Sequence, residues 1–381
     1  MVKVSVLMLT YNHENYIKEA IESVLRQDTS FTYELVIGED CSTDNTRKII
    51  TAYKKEYPDI IKLNLHNRNV GGRKNFISTL PMCQGQYVAL LEGDDYWTDE
   101  KKLQKQIEFL DNNLDCSFCA HSYKIYNEGT KNFVGDRVFS NAKFNLKDFL
   151  KGDANNNREP NQWYMRTLSI MFRKEALDKP PTIWYQVPYG DYIFHILFLE
   201  KGLGYCSEEI MGVYRINPNS ATNKDPSKHD ELILQCRKLA LGYVPEKYRH
   251  YIQQSIDGLI LRKKYSSLMN RLKYAMSREK VIDYFNRKSF NRIAIYGAGT
   301  SGNLLANKLE NSTIAISFFI DKNILSSDNR TVIKPEEIDE GFSVDAIIIT
   351  PVFDFDNIKA SLLKNKVNAE IISLCDIVEN V

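Results

Sequence analysis

Four apolar runs punctuate the first 110 residues, and each ends abruptly in a polar cluster. "VKVSVLML" gives way to "TYNHE", "YELVI" to "GEDCSTD", "IIKLNLH" to "NRNVGGRKN" and "GQYVALL" to "EGDD". Short, near-continuous apolar runs of this kind read as strands buried on both faces, as in a parallel sheet. The stretches between them have helical spacing. Ile17, Ala20, Ile21, Val24 and Leu25 recur at the helical period, and "STDNTRKIITAYKKEYP" opens on capping residues with Pro58 just past its end. Strand–helix alternation specifies a doubly wound α/β sheet. Ligands bind such sheets beyond the carboxyl ends of the strands. All four polar clusters are therefore expected on one edge.

The chain's 381 residues exceed one small core, and three segments can be read. Residues 1–225 form the first domain, 226–290 a helical segment rich in Lys and Arg, and 291–381 a second, smaller α/β unit. Basic residues number 50 and acidic residues 49, so net charge gives no reason to expect a nucleic-acid partner. The basic helices fit either a solvated connecting bundle or a surface that meets anionic lipid head groups. Seven cysteines at scattered positions suit a reducing compartment. "CSFC" (Cys116, Cys119) sits in a strand-like stretch with no second pair. The opening segment is too short in apolar residues for a signal peptide or span, so a cytoplasmic location is expected, with peripheral contact at a membrane's inner face where the basic helices touch it.

The "EGDD" cluster carries Glu92, Asp94 and Asp95 at the end of the fourth strand. Like charges so close need a cation, a basic cluster or solvent. Oxygen ligands suit Mg²⁺ or Mn²⁺, which substrate phosphates would complete. The other reading is a solvated turn whose acids cap the next helix.

Together, "SVLMLTYNHENYIKEAIESVLRQ", "YELVIGEDCSTDNT", "NRNVGGRKNF" and "GQYVALLEGDDYW" resemble the family 2 glycosyltransferases of the GT-A fold. The resemblance covers roughly residues 3–220. It implies an inverting, metal-dependent transfer from a nucleotide sugar, UDP-linked in expectation, to a hydroxyl of a glycan or lipid-linked acceptor in surface polysaccharide synthesis. It implies that Thr10, Tyr11, Asn12 and Glu14 wrap the nucleotide. In the nucleotide-binding pair Glu39-Asp40 it implies that the second acid, Asp40, reads the base, with Glu39 departing from the family's usual Asp. Asn69 and Arg73 lie in the base- or phosphate-contacting segment. Asp95 is the first choice for the metal, then Asp94, which also suits the sugar or ribose, then Glu92. "YGDYIFHILFLEKG" matches the family's later acidic motif, which makes Asp191 the expected general base; capping its helix is the alternative. Arg215, in "VYRINPNSAT", is expected at the diphosphate, while Asn217 stands where the family often has His. His13 reads as a loop residue near the nucleotide, and His121 as structural. Trp97 and Trp163 stack on sugars or fill the core, and residues 155–162 form a loop able to close over the donor.

"YGAGTSG" supplies Gly297, Gly299 and Gly302 between a strand and a helix, with Asp321 ending the next strand. That context fits a dinucleotide fingerprint. Three roles stay open for this unit: structure or homo-oligomeric assembly, a bound nucleotide sugar, or NAD. The rival function is a nucleotide-binding regulatory or assembly protein whose first domain is inactive. A nucleotidyltransferase would want a Gly-rich, Lys-bearing loop after the first strand, and "TYNHENY" has no glycine.

Overall fold

The computed structural model describes residues 1–154, 165–177, 182–188, 190–217, 226–323, 330–338, 343–365 and 367–381. Trp163 and the 155–162 loop lie outside them. The chain divides into two compact units, Met1–Leu259 and Ile260–Val381.

The first unit begins β1 (Val4–Thr10), α1 (Ile17–Leu25), β2 (Tyr33–Glu39), α2 (Thr46–Glu56), β3 (Ile61–Leu65), α3 (Gly72–Thr79) and β4 (Tyr87–Glu92). It continues through β5 (Tyr96–Trp97), α4 (Lys102–Asn112), β6 (Cys116–Asn127), β7 (Asn132–Arg137), β8 (Ala142–Phe144), α5 (Leu146–Ala154), β9 (Met171–Arg173), α6 (Asp191–Leu199), β10 (Leu203–Ile216) and α7 (Pro226–Tyr243). The sheet runs β3-β2-β1-β4-β9-β6-β10-β5, with β7 on β6 and β8 on β10. Its first four strands are parallel; β9 is antiparallel to both β4 and β6. The strand order reverses between β1 and β4, which is where a crevice opens beyond the strand ends in such sheets. Thr10 closes β1 and Glu92 closes β4 beside it, through the pair Leu9–Glu92.

Burial explains the strands. Val4, Val6, Leu7 and Met8 of β1 and Val88, Ala89, Leu90 and Leu91 of β4 are all buried. α1 covers one face with Ile17, Ala20, Ile21 and Val24. On another part of the sheet Phe118 packs between Phe144 and Phe198, with ring centroids 5.8 and 5.4 Å away.

α8 (Arg249–Asn270) crosses the division between the units, and a π-turn (Arg271–Ala275) follows it. The second unit then has α9 (Arg278–Arg287), β11 (Arg292–Tyr296), α10 (Thr300–Leu309), β12 (Ala315–Ile320), β13 (Val332–Ile333), β14 (Ala346–Ile349), α11 (Phe355–Lys364), β15 (Glu370–Ser373) and α12 (Leu374–Glu379). Its sheet is wholly parallel in the order β13-β12-β11-β14-β15. Counted within the unit this is 3-2-1-4-5, the Rossmann order short of its last strand. Among the described residues no helix is long and apolar enough to cross a membrane.

Two core histidines are held neutral. His121 is fully buried with Nδ1 2.7 Å from the Ser122 carbonyl, and burial pushes it down to about 3. His195 is buried with Nδ1 2.6 Å from the Asp191 carbonyl, and burial pushes it down to about 4. Both folded values lie below the ordinary 6.5, so the unfolded chain takes up protons first as pH falls. Each histidine should then cost about 1.4 kcal/mol of stability per pH unit below its free value. Urea unfolding near pH 7 and near pH 5 should show the loss, and His121→Phe should flatten the slope. An unchanged slope would mean that His121 is protonated in the fold.

Candidate active site

The polar clusters do meet at the carboxyl ends of the first four strands, but many of their side chains are occupied with one another. Asn12 adopts a positive φ of 55°. Its amide oxygen accepts the Thr43 N–H at 2.8 Å, and its own N–H donates to Ser42 Oγ at 2.9 Å. Glu14 Oε2 accepts from the backbone and side-chain nitrogens of Asn45 at 2.9 and 2.7 Å. The loops after β1 and β2 are thus stitched together. Glu39 is fully buried; it accepts the Ser42 N–H at 2.5 Å and pairs with Arg47. Asp40 accepts the N–H groups of Val70 and Gly71 at 2.6 and 2.8 Å, which fixes the loop leading into α3. Asn69 is exposed on that loop. Of the expected nucleotide-contacting group, Tyr11 (38% exposed) presents its ring to solvent, while Thr10 Oγ1 is buried with no hydrogen-bond partner among the described residues.

The three acids of the "EGDD" turn point to three neighbours. Glu92 lines a cleft together with Asp191 and is hydrogen-bonded by Thr167; its Oε2 is buried with no partner among the described residues. Burial, then the charges of Asp191 and Asp94, push its carboxyl up to about 8. Asp94 lies 3.7 Å from His13 Nε2. Asp95 is buried, and its Oδ1 accepts the Arg215 N–H at 2.7 Å; burial and the charges of Asp94 and Glu92 push it well above the usual carboxylate range. Gly93 permits the turn, because a Cβ there would sit 2.8 Å from Thr10 Oγ1 and 2.9 Å from His13 Nδ1.

The cleft, about 170 Å³, opens at the strand-order reversal. Leu7, Leu9, Leu90 and Glu92 of the strand ends line it together with Arg73, Phe76, Trp184, Asp191 and Phe194. Asp191 is the first residue of α6. The cap position is Gly190, and no side chain caps the helix. Arg73 donates to the carbonyls of Tyr185 (2.8 Å) and Pro188 (3.2 Å), tying that segment to α3. Trp184 packs at a tilt against Phe194, with centroids 3.8 Å apart, and Phe76 completes the aromatic wall. Sequence reasoning missed Thr167 and Trp184. Nothing local marks them; only the return of residues 167–194 to the strand ends brings them here.

Arg215 is 9% exposed and is spent within the fold. It pairs with Glu128 at 3.1 Å and with Glu19, and it lies over the rings of Tyr96 and Tyr16. Trp97 is a core residue whose indole N–H donates to the Leu168 carbonyl at 2.9 Å. Cys116 and Cys119 are free and buried, and burial pushes their thiols up to about 11 and 12.

Could these acids hold a cation? Their chemistry fits one: hard oxygens, an orphaned buried Glu92 Oε2, and little positive charge to offset Glu92 and Asp95. Among the described residues, no three His, Cys, Asp or Glu side chains converge as a ready-made cage. A cation here would need further ligands from a bound phosphate.

In the second unit, Gly297 has φ +101°, and a Cβ on Gly302 would lie 2.0 Å from the Gly297 carbonyl oxygen. The turn itself requires both glycines. Gly299 differs: a Cβ there would meet nothing within 4 Å. Asp321 accepts the N–H of Ala298 (2.8 Å) and of Asn323 (2.9 Å), so it braces the glycine loop.

Residues 5–179 match the family described as "Glycosyl transferase family 2". That region is similar to family 2 glycosyltransferases and has the GT-A fold, and a Rossmann-like unit follows it. Residues 289–373 match a second family, "C2185-like, N-terminal". The Mycobacterium tuberculosis protein Rv1520 is 41% identical over 213 residues, 55% of this chain and 58% of that protein. The Staphylococcus aureus poly(ribitol-phosphate) beta-N-acetylglucosaminyltransferase TarS is 34% identical over 113 residues, 29% of this chain and 19% of TarS. The chain therefore spans little over half the length of the curated relatives it matches first. A crystal structure of TarS residues 1–349 with UDP-GlcNAc superposes with a TM-score of 0.52 at 18% identity, covering 75% of this chain and 79% of that one. At that identity the match speaks for the fold.

Removing the Arg215 guanidinium should leave the buried Glu128 carboxylate with Lys131 as its remaining cation. Arg215→Leu should lower unfolding stability by about 2 kcal/mol, measured by urea titration. A loss under about 0.5 kcal/mol would show that the pairs are solvent-screened.

Proposed function

We propose that the chain is an inverting glycosyltransferase that moves a sugar from a nucleotide donor to the hydroxyl of a glycan or lipid-linked acceptor. The observation that carries this reading is that Glu92 and Asp191 line one cleft at the strand-order reversal, close enough for their charges to interact. A nucleotide sits naturally at such a crevice. The family match of residues 5–179 supports the reaction class. The TarS name and its complex with UDP-GlcNAc support a UDP-linked donor.

Tyr11 and Thr10 Oγ1 flank the nucleotide at the end of β1. Asn12, Glu14, Glu39 and Asp40 hold the surrounding loops in shape, so their part in donor binding is to position backbone. The Asp191 carboxylate takes the acceptor hydroxyl's proton as that oxygen bonds to the anomeric carbon. The bond from that carbon to the diphosphate breaks, and the nucleoside diphosphate leaves from the opposite face, which inverts the centre. Asp94, Glu92 and Asp95 are the residues that would hold Mn²⁺ or Mg²⁺; the ion supplies charge neutralisation of the leaving diphosphate. Acceptance of a proton at Asp191 is aided by its place beside apolar Phe194 and Trp184, which limit water at the reacting hydroxyl.

Replacing Asp191 by Asn should keep UDP affinity within about twofold and cut turnover by a hundredfold to ten-thousandfold, on the order expected for a general base. Isothermal titration and a UDP-release assay separate the two readouts. Loss of both together would reduce Asp191 to a structural residue. In the same assay Asp94→Asn should weaken UDP binding in Mn²⁺ and leave binding in EDTA unchanged; equal binding in both would remove Asp94 from the cation's ligands.

A further inference from the structure

The stretch between Asp257 and Glu279 contains six Lys and Arg residues and no acid. It forms the second half of α8, the π-turn and the start of α9. Tyr265, Leu268 and Leu272 turn into the core of the second unit. Ile260, Lys263, Lys264, Ser267, Arg271 and Tyr274 recur at three- and four-residue steps, so they form one stripe on the opposite face. All six are exposed, Ile260 by 46% and Tyr274 by 75%.

Three features set this stripe apart. First, Lys263, Lys264 and Arg271 pair with no carboxylate of the described residues. Elsewhere basic side chains do: Lys288 with Glu370, Lys143 with Asp115, Lys101 with Asp28. Second, the cations are flanked by exposed apolar side chains, Ile260 at one end and Tyr274 at the other. Third, Tyr274 is carried by a π-turn, a rare distortion that recurs at functional sites. A soluble polyanion would need only the charges. An anionic bilayer surface uses both parts: lysine stems snorkel while ammonium groups meet head groups, and Tyr and Ile reach the interfacial layer.

We propose that this stripe docks the chain reversibly on an anionic lipid surface. The inference does not rest on the transferase reading, since docking is measured with no donor or acceptor present. Each basic residue near such a surface strengthens partitioning about fivefold. The test is co-sedimentation of the full chain with phosphatidylcholine vesicles that contain or lack phosphatidylglycerol. Binding should require phosphatidylglycerol and fade with salt. The triple variant Lys263→Gln, Lys264→Gln, Arg271→Gln should bind about a hundredfold more weakly, and Tyr274→Ser severalfold more weakly, with unchanged thermal unfolding. Equal binding to neutral vesicles, or full binding by the triple variant, would overturn the proposal. So would retention on a heparin column by a chain that ignores both kinds of vesicle.

Discussion

Three carboxylates crowd the end of a buried strand, and the organisation of the first unit follows from how they are kept apart. Glu92, Asp94 and Asp95 lie within four positions, and two of them are pushed upward by burial and by one another. The turn disperses them. Asp95 is drawn under β10 by the Arg215 backbone N–H, Asp94 is set against His13, and Glu92 is left facing the cleft with a free oxygen. Dispersal lowers the repulsion but does not remove it, since among the described residues no guanidinium or ammonium is hydrogen-bonded to Glu92. A site of this kind has a standing demand for positive charge.

The shell around the turn is rigid for a related reason. Residues that could each have touched a ligand instead bind neighbouring loops: Asn12 to Thr43, Glu14 to Asn45, Asp40 to Val70 and Gly71. Fixing these loops before a ligand arrives lowers the ordering cost of binding. It also leaves few side chains for direct contact, which places weight on Thr10, Tyr11, Glu92, Asp94 and Asp191. Arg215 follows the same pattern. Its guanidinium joins β10 to Glu19 and Glu128, and its backbone orients Asp95.

The sheet was legible in the sequence because apolar runs such as "SVLML" and "YVALL" admit one reading, and the polar clusters after them marked the binding edge. The glycine turn of the second unit was legible as well, since Gly297 and Gly302 answer steric demands within six residues. What the sequence concealed was the engagement of individual side chains. Arg215 and Glu19 are 196 positions apart, Asp95 and Arg215 120, and Asp40 and Val70 30. No local pattern encodes such pairs. Arg215 thus read as a phosphate contact and Asp40 as a base contact, while both spend their groups on the protein. Thr167 and Trp184 were hidden for the same reason.

We propose that the acidic turn serves a nucleotide diphosphate together with a cation. Calorimetric titration of UDP into the full chain, with Mn²⁺ and then with EDTA, tests it most directly, with GDP and NAD as comparisons. UDP binding should depend on the metal and exceed that of GDP and NAD. Tight NAD binding, with no metal-dependent binding of either diphosphate, would contradict it and move the ligand to the glycine loop of the second unit.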